Sequence, residues 1–463
     1  MQGITHWNFS PMYRFDQPET ALLPTVCALQ PEEDGFRYQY LDNGCDGPHR
    51  LLLRKRGEAS WETLPDTGSV MGLEPLTDYE MQIVRTDGTG ESLVRLVRTG
   101  KMPGDTVINY LHPDDRAYAF SGNFTCSPCI TRVPSGDLIA TMDIFGPGAP
   151  QNLTLVFVSH DGGVSWQYRT ELYPSFWPSS FVHNGSLYVL SVSREYGDIQ
   201  IGRSDDEGRT WTRPSILAPG AIFLSRGFHR NPVPIVRHNG RIWTTTEFGS
   251  WGTKCHAAGL MSAPEDSDLL DPASWTFSDF LTFDSTDFGA PTDCLGGIEG
   301  NLYFSPEGRL FVLYRLATPS RGGCTPQLLT EGDPENPGKM LRPVKLLEPP
   351  FGSNSKAFIQ YDGSTGMYLC IANEPTEEKY YARSQRTVIS LFSSPDGISW
   401  TLRHRIFDYR KEDPERVGLQ YPAWAFDGDD LLLVTRVAYN NAENFHNSNC
   451  ITFHRIKNYK QYL

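Results

Sequence analysis

A short apolar stretch, a polar turn containing glycine and a strand of alternating apolar residues recur six times along this chain. The copies are Val133-Pro-Ser-Gly136-Asp-Leu-Ile-Ala, Val182-His-Asn-Gly185-Ser-Leu-Tyr-Val, Arg237-His-Asn-Gly240-Arg-Ile-Trp-Thr, Ser305-Pro-Glu-Gly308-Arg-Leu-Phe-Val, Tyr361-Asp-Gly363-Ser-Thr-Gly-Met-Tyr-Leu and Phe426-Asp-Gly428-Asp-Asp-Leu-Leu-Leu-Val. Alternation with period two marks strands, and no helical period of comparable strength interrupts it. Subtracting the glycine numbers gives spacings of 49, 55, 68, 55 and 65 residues, a loose period that suits four-stranded blades with unequal loops. The pattern predicts an all-β chain built on a six-bladed β-propeller.

A second, shorter pattern sits between these copies. Ser159-His-Asp161-Gly-Gly163-Val-Ser165-Trp166 and Ser204-Asp-Asp206-Glu-Gly208-Arg-Thr210-Trp211 share the form Ser-x-Asp-x-Gly-x-Ser/Thr-Trp. The Asp and the hydroxyls can bond backbone in a tight turn, glycine supplies a strained dihedral, and Trp packs into a hydrophobic seam. Ser393-Ser-Pro-Asp396-Gly397-Ile-Ser399-Trp400 is a degenerate third copy, with Pro395 where the Asp is expected. A calcium loop would need several alternating oxygen ligands and a distal acid, which these segments lack. The pattern is identified as the Asp-box of BNR repeats, a hairpin-pinning turn.

The first hundred residues read differently. Leu73-Glu-Pro75-Leu-Thr77-Asp-Tyr79 resembles the tyrosine corner of fibronectin type III domains, whose Tyr hydroxyl ties a loop back to a β-sandwich. Gly100-Lys-Met-Pro-Gly104 reads as a linker, so residues 1–103 are expected to form a small sandwich and residues 104–463 the propeller. The alternating stretch Cys450-Ile-Thr-Phe-His454-Arg-Ile is expected to join a blade that takes strands from both ends of the chain.

Composition narrows the function classes. At 463 residues the chain is too long for one ordinary core unless a closed repeat carries most of it, and its 42 Gly, 34 Pro and 12% aromatic residues suit many short strands and turns. A net charge of −14 argues against nucleic acid bound over a broad face, though not against a local basic pocket. No apolar run approaches the ~18 residues of a membrane span, so no membrane partner is expected. The opening segment shows neither a basic patch nor an apolar core of a signal peptide, which with nine scattered cysteines favours a reducing, cytoplasmic setting unless a leader has been removed. Cys126-Ser-Pro-Cys129 lacks a second pair at ligand spacing, so no metal and no cofactor are expected. Sequons at Asn8, Asn123, Asn152 and Asn184 would matter only in a secreted protein. The oligomeric state is left open.

Asp-boxes on a six-fold repeat resemble the sialidase (neuraminidase) superfamily, over roughly residues 115–463. That resemblance implies a Tyr nucleophile activated by a Glu, because a carboxylate nucleophile would be repelled by the substrate's own carboxylate. It further implies three arginines that grip the carboxylate, and an Asp acid on a mobile loop. Glu299 and Arg315, one hairpin apart in Gly297-Ile-Glu299-Gly…Tyr-Arg315, look like the activating Glu and a triad Arg. Arg386 is placed like the last triad Arg, and Tyr421, in Gln420-Tyr421-Pro, like the nucleophile.

Two positions depart from that pattern. The motif that should carry the first arginine falls on Cys126-Ser127-Pro128, with Arg132 out of register, and the loop Gly146-Pro-Gly-Ala-Pro-Gln-Asn-Leu offers no acid Asp. Asp143 lies nearby on a strand. His229, Glu247 and His446 are further candidates for contacting substrate at the same pore mouth, either histidine being able to act as acid or base near neutral pH. The leading expectation is a sialidase-like exo-glycosidase acting on an anionic terminal sugar that need not be ordinary sialic acid. A lyase for uronate-containing glycans and a non-catalytic glycan-binding propeller stand as alternatives.

Overall fold

The repeats become six antiparallel sheets in the computed structural model, which describes residue 7 and residues 23–43, 47–220, 226–253, 255–282, 296–316, 326–352, 354–377 and 385–463. The sequon at Asn8 lies outside the described residues. Blade one pairs Phe124–Arg132, Leu138–Phe145, Thr154–Ser159 and Gln167–Leu172 in chain order, and blade two Phe176–His183, Ser186–Val192, Ile199–Ser204 and Ser215–Ala218. Blade three is built on Gly227–His229, Arg241–Ser250 and Cys255–Pro264, blade four on Gly297–Phe304, Leu310–Leu316, Gln327–Gly332 and Arg342–Leu347. Phe358–Asp362, Met367–Asn373, Val388–Ser394 and Thr401–Asp408 make blade five. The first strands of blades four, five, six, one and two touch in succession, and the second strand of blade three packs on the first of blade four. Phe176 and Ile201 of blade two share a core with Ile242 and Met261 of blade three, which closes the ring. The chain is an all-β propeller.

Blade six is completed from far away in sequence. Gly418–Asp427, Asp430–Ala438 and Cys450–Ile456 follow one another, and the fourth strand is Thr106–Tyr110, with Cys450 opposite Tyr110. Every strand of the ring is thereby paired without leaving a blade incomplete, the usual answer to the exposed-edge problem.

The repeated turns fold as their chemistry dictates, with two shifts. Gly136, Gly185, Gly240, Gly308 and Gly428 take positive φ, but in blade five Gly366 does so in place of Gly363, because Asp362 accepts from Ser364 N and Thr365 Oγ1 and lengthens the turn. Ser159 Oγ donates to Asp161 Oδ1 at 2.8 Å and receives Gly163 N at 2.8 Å, while Asp161 also accepts from Ser165 N and Oγ. Ser204, Asp206, Gly208 and Thr210 repeat these bonds. In the third copy the register slips by one. Ser394, not Ser393, bonds Asp396, which stands only three residues before Ser399. Pro395 thus precedes the acid rather than replacing it. Trp166 packs 5.6 Å from Phe453 of blade six and Trp211 6.0 Å from Trp7, while a Cβ on Gly163 would sit 2.2 Å from the Phe453 ring.

The N-terminal residues form two sheets. Thr25–Glu32, Gly35–Leu41 and Ser69–Met71 make one, and Glu62–Pro65, His49–Lys55, Asp78–Arg85 and Arg95–Arg98 the other. Phe36, Leu51, Met81 and Ile83 between them are continuous with Ile108, Phe157, Trp166 and Trp424 of blades one and six. Gln30 and Gln39 donate to Trp166 O, and a buried Arg95–Asp115 ion pair of 2.6 Å fastens the join.

Candidate active site

Four first strands carry a bulge at corresponding places. The ladder slips between Thr141 and Asp143 opposite Cys126 to Cys129, and at Phe176/Ser179, Ile298/Asn301 and Gln420/Ala423. At each slip a non-glycine residue has positive φ: Ser127 (28°), Trp177 (52°), Glu299 (58°) and Tyr421 (53°). Pro128, Pro178 and Pro422 follow three of them and have no N–H to give the ladder. Gly300 follows the fourth, where a Cβ would lie 2.4 Å from the Tyr314 ring. Such strained residues cost ~1–3 kcal/mol each and persist where surrounding structure over-determines them. Here the bulges re-aim side chains. Trp177, Glu299 and Tyr421 all face one cavity of about 310 Å³, together with Cys126, Phe145, Gln151, Glu195, His229, Asn231, Trp251, Arg436 and His446. That volume is at the small end for ligand pockets and suits one terminal sugar better than a chain laid across the mouth.

Glu299 is buried and fully bonded on both oxygens. Asn231 Nδ2 donates to Oε1 at 2.6 Å and Arg315 Nε to Oε2 at 2.7 Å. Burial alone would raise its pKa, but Arg315, with His229 and Lys356, holds the carboxyl below its ordinary value. Arg315 reaches it from the second strand of blade four, opposite Ile298, and also donates to Asn354 Oδ1. Among the described residues no hydrogen bond joins Glu299 to the Tyr421 hydroxyl.

Tyr421 is enclosed by positive charge. Arg386 lies 5.7 Å and Arg436 5.1 Å from its ring centroid. Burial and Glu299 raise the phenol's pKa, while Arg315, Arg386 and Arg436 pull it back. Arg386 donates to Gln420 Oε1 and Asn354 O, and its buried Nε has no acceptor among the described residues. Burial, with the neighbouring Arg315 and Arg436 charges, brings Arg386 down to about 10.

Arg436 stands on the second strand of blade six and donates to Cys126 Sγ at 2.9 Å, Ser448 Oγ at 3.1 Å and His446 O. A guanidinium therefore does reach the Cys126 position, from the opposite end of the propeller sequence. Arg132, by contrast, pairs with Asp427 at 2.6 Å, away from the cavity lining.

The remaining candidates divide by depth. His229 lines the cavity, its Nδ1 2.9 Å from Glu247 Oε2 and its ring 4.3 Å from that of Trp177. Glu247 itself is sealed beneath, with Oε1 taking Gly300 N. His446 lines the cavity too, but burial and the Arg436 and Arg386 charges push its pKa well down, so the ring is neutral. Asp143 has no exposure and does not line the cavity; its carboxyl lies near Cys126, Oδ2 accepting from Trp177 N at 2.8 Å and Oδ1 making no hydrogen bond of good geometry among the described residues.

Burial raises the Asp143 pKa to about 7, against the Trp177 N–H, Arg436 and Cys126. A carboxyl whose folded pKa exceeds its unfolded value lowers stability as pH rises from the unfolded pKa to the folded one, here between about 4 and 7, by up to ~4 kcal/mol. Asp143→Asn still accepts from Trp177 N and does not ionise. Denaturant unfolding is expected to show wild type and variant converging at pH 4, with the variant the more stable by a few kcal/mol at pH 8. A parallel pH profile for the two proteins would refute this.

No family model matches the sequence, and no curated protein sequence matches it either. Among solved structures, the chain is similar to the Hadza microbial sialidase Hz136, at 13% identity and a TM-score of 0.51, over 96% of this chain and 94% of that one. It is similar to Trypanosoma rangeli sialidase in complex with sialic acid at 15% identity and a TM-score of 0.50, over 73% and 55%. A Dyadobacter fermentans protein of unknown function matches at 12% identity and a TM-score of 0.50, over 72% and 94%. The chain has a sialidase-like propeller fold.

Three residues that sequence reasoning passed over, Arg436, Trp177 and Glu195, stand in or beside this fold's repeat template. Asp143, Val192, Glu247, Arg315 and Asn373 each lie seven residues after a left-handed turn glycine, and Arg436 lies eight after Gly428. Arg436 is thus the blade-six counterpart of Arg315. Trp177 is likewise marked by Phe176-Trp177-Pro178, the counterpart of Gln420-Tyr421-Pro422. Glu195 sits on the loop joining the second and third strands of blade two, the counterpart of the blade-one loop that holds Gln151. Among the described residues no cluster of three or more His, Cys, Asp or Glu could hold a metal, and no helix is long and apolar enough to cross a membrane.

Proposed function

We propose that the chain is an exo-acting glycoside hydrolase that removes a terminal sugar bearing an anionic group. The observation that carries this is the charge imbalance around Tyr421, where Arg315, Arg386 and Arg436 stand against one ionised carboxylate, Glu299. Excess positive charge in a buried site is costly unless a ligand supplies the counter-charge, and a carboxylate can take paired N–H donors from guanidinium groups. The Arg386 Nε without an acceptor is one donor still to be filled.

In this reading Tyr421 Oη attacks the anomeric carbon, its proton passing to Glu299, and water later displaces the tyrosine. A neutral nucleophile suits a substrate whose own charge would repel a carboxylate. Trp177 and Trp251 supply apolar walls for a sugar ring. Two structural assignments accompany it. The turns at Asp161, Asp206 and Asp396 are Asp-boxes, and residues 1–103 are a fibronectin type III-like module attached to a propeller of residues 104–463. The three-plus-four strand pairing and the bond from Glu74 N to Tyr79 Oη at 3.1 Å support the module.

The His229–Glu247 pair beside Tyr421 favours a second reading, a lyase for uronate-containing glycans that abstracts a proton next to the carboxylate. Mass spectrometry of products from sialosides, other 2-keto-acid glycosides and uronate-capped oligosaccharides in heavy-oxygen water separates the two. Label in a released acidic sugar is the expected result. An unsaturated product, one water short, would establish the lyase instead, and an unchanged panel would leave a glycan-binding propeller.

A further inference from the structure

Among the described residues, two carboxyl groups face the cavity, in opposite environments. Glu299 is held ionised by a guanidinium at 2.7 Å. Glu195 has no ion pair among the described residues; Gln151 Nε2 donates to its Oε2 at 2.5 Å, and Oε1 has no protein donor. Burial raises the Glu195 pKa, against the Gln151 bond and the His229 charge, so it keeps a proton to a higher pH than an ordinary glutamate. Carboxyls whose surroundings drive them apart in this way divide into base and acid.

The loop that carries Glu195 is fixed on both flanks. Glu195 N donates to Gln151 O at 3.3 Å, and both Gln151 and Tyr196 hold positive φ. Tyr196 Oη contacts His256 Nε2 at 3.2 Å and accepts Trp251 N at 3.2 Å, tying the loop to blade three. A Cβ on Gly227 would lie 2.0 Å from Tyr196 O, so the backbone fits closely there. The competing proton donors are less well placed. His229 is almost fully enclosed, with its Nδ1 engaged by Glu247, and Asp143 does not reach the cavity.

We propose that Glu195 is the general acid of this site, a glutamate from blade two acting beside the blade-one loop that holds Gln151. The inference rests on the hydrolase reading. The Glu195 carboxyl gives its proton to the glycosidic oxygen as the bond to the anomeric carbon breaks and Tyr421 Oη bonds to that carbon. In the second half the Glu195 carboxylate takes a proton from the attacking water, and the C–Oη bond breaks to restore the phenol with the proton returned by Glu299. The sum is glycoside plus water giving free sugar and alcohol.

The test compares leaving groups. Wild type and Glu195→Gln are assayed on an oligosaccharide, whose alcohol must be protonated to leave, and on a nitrophenyl glycoside of the same sugar, which leaves unaided. General acid catalysis contributes ~10²–10⁴-fold, so the variant is expected to lose about that factor in kcat/KM, which reports the first half alone, on the oligosaccharide and no more than roughly tenfold in kcat/KM on the aryl substrate. It also loses the alkaline limb of the kcat/KM profile. Gln151→Ala removes a bond that favours the ionised carboxyl, and is expected to move that limb to higher pH. Equal losses on both substrates, or an unmoved limb in Gln151→Ala, would make Glu195 structural and overturn the assignment while leaving the hydrolase intact. A wild-type protein that cleaves neither substrate would overturn both.

Discussion

Tyr421→Phe is expected to lower kcat/KM by at least ~10³-fold while binding of the released sugar stays within a few-fold of wild type, since nucleophiles that act as a unit with their base show losses of that order or larger. The substitution deletes one hydroxyl. The ring remains between Arg386 and Arg436, the positive φ at 421 goes with the bulge in its strand rather than with the hydroxyl, and the fold is expected to be unaltered. Steady-state kinetics on the aryl glycoside, paired with calorimetric binding of the sugar, separates chemistry from affinity. A variant of wild-type activity would sink the nucleophile assignment, and one that neither binds nor melts as wild type would show the residue to be structural.

The second large effect concerns Arg436, whose guanidinium lies against Cys126 from across the ring. Arg436→Met removes a guanidinium bonded to Cys126, Ser448 and His446, and is expected to cost ~10²-fold in kcat/KM for an anionic substrate, about 3 kcal/mol for a charge-assisted contact in a dry site. Part of any loss in thermal stability comes from the acceptors left behind, so Tm is measured beside KM. Cys126 and Arg436 are in contact, which makes the pair open to exchange. Adding Cys126→Arg to Arg436→Met places a guanidinium in the same space from blade one, and is expected to recover at least tenfold of the lost kcat/KM. A single variant that loses stability but keeps its KM for the anionic sugar, or a double variant no better than the single, would make Arg436 a strut rather than a ligand for substrate.

Much of the fold could be read in advance because its parts are local. The glycine turns, the Ser-x-Asp turns and the alternating strands each specify a few residues of backbone, and six repetitions leave few architectures open. The errors were local as well. Blade five uses Gly366 because Asp362 caps a longer turn, and Asp396 bonds Ser394 because Pro395 pushes the acid one place on. Glu299 and Tyr421 were legible through the sialidase resemblance, Glu299 one hairpin before Arg315 and Tyr421 ahead of its own turn and strand, and the structure brings both to one cavity. Arg436 was not, since its partner Cys126 is 310 residues away and no spacing reports a contact across the ring. Glu195 escaped because the acid was sought on one loop, whereas the cavity receives the corresponding loops of two blades.

The pairing of Thr106–Tyr110 with Cys450–Ile456 also sets an order of events during synthesis. A strand made early must wait, unpaired, until 340 further residues separate Tyr110 from its partner Cys450. Blades one to five can assemble on the ribosome as they emerge, but the sheet that bears Tyr421 and Arg436 cannot. A chain released shortly before residue 450 would carry nearly all of the propeller yet have no finished sheet beneath Tyr421, so the site is completed only once the ring is shut.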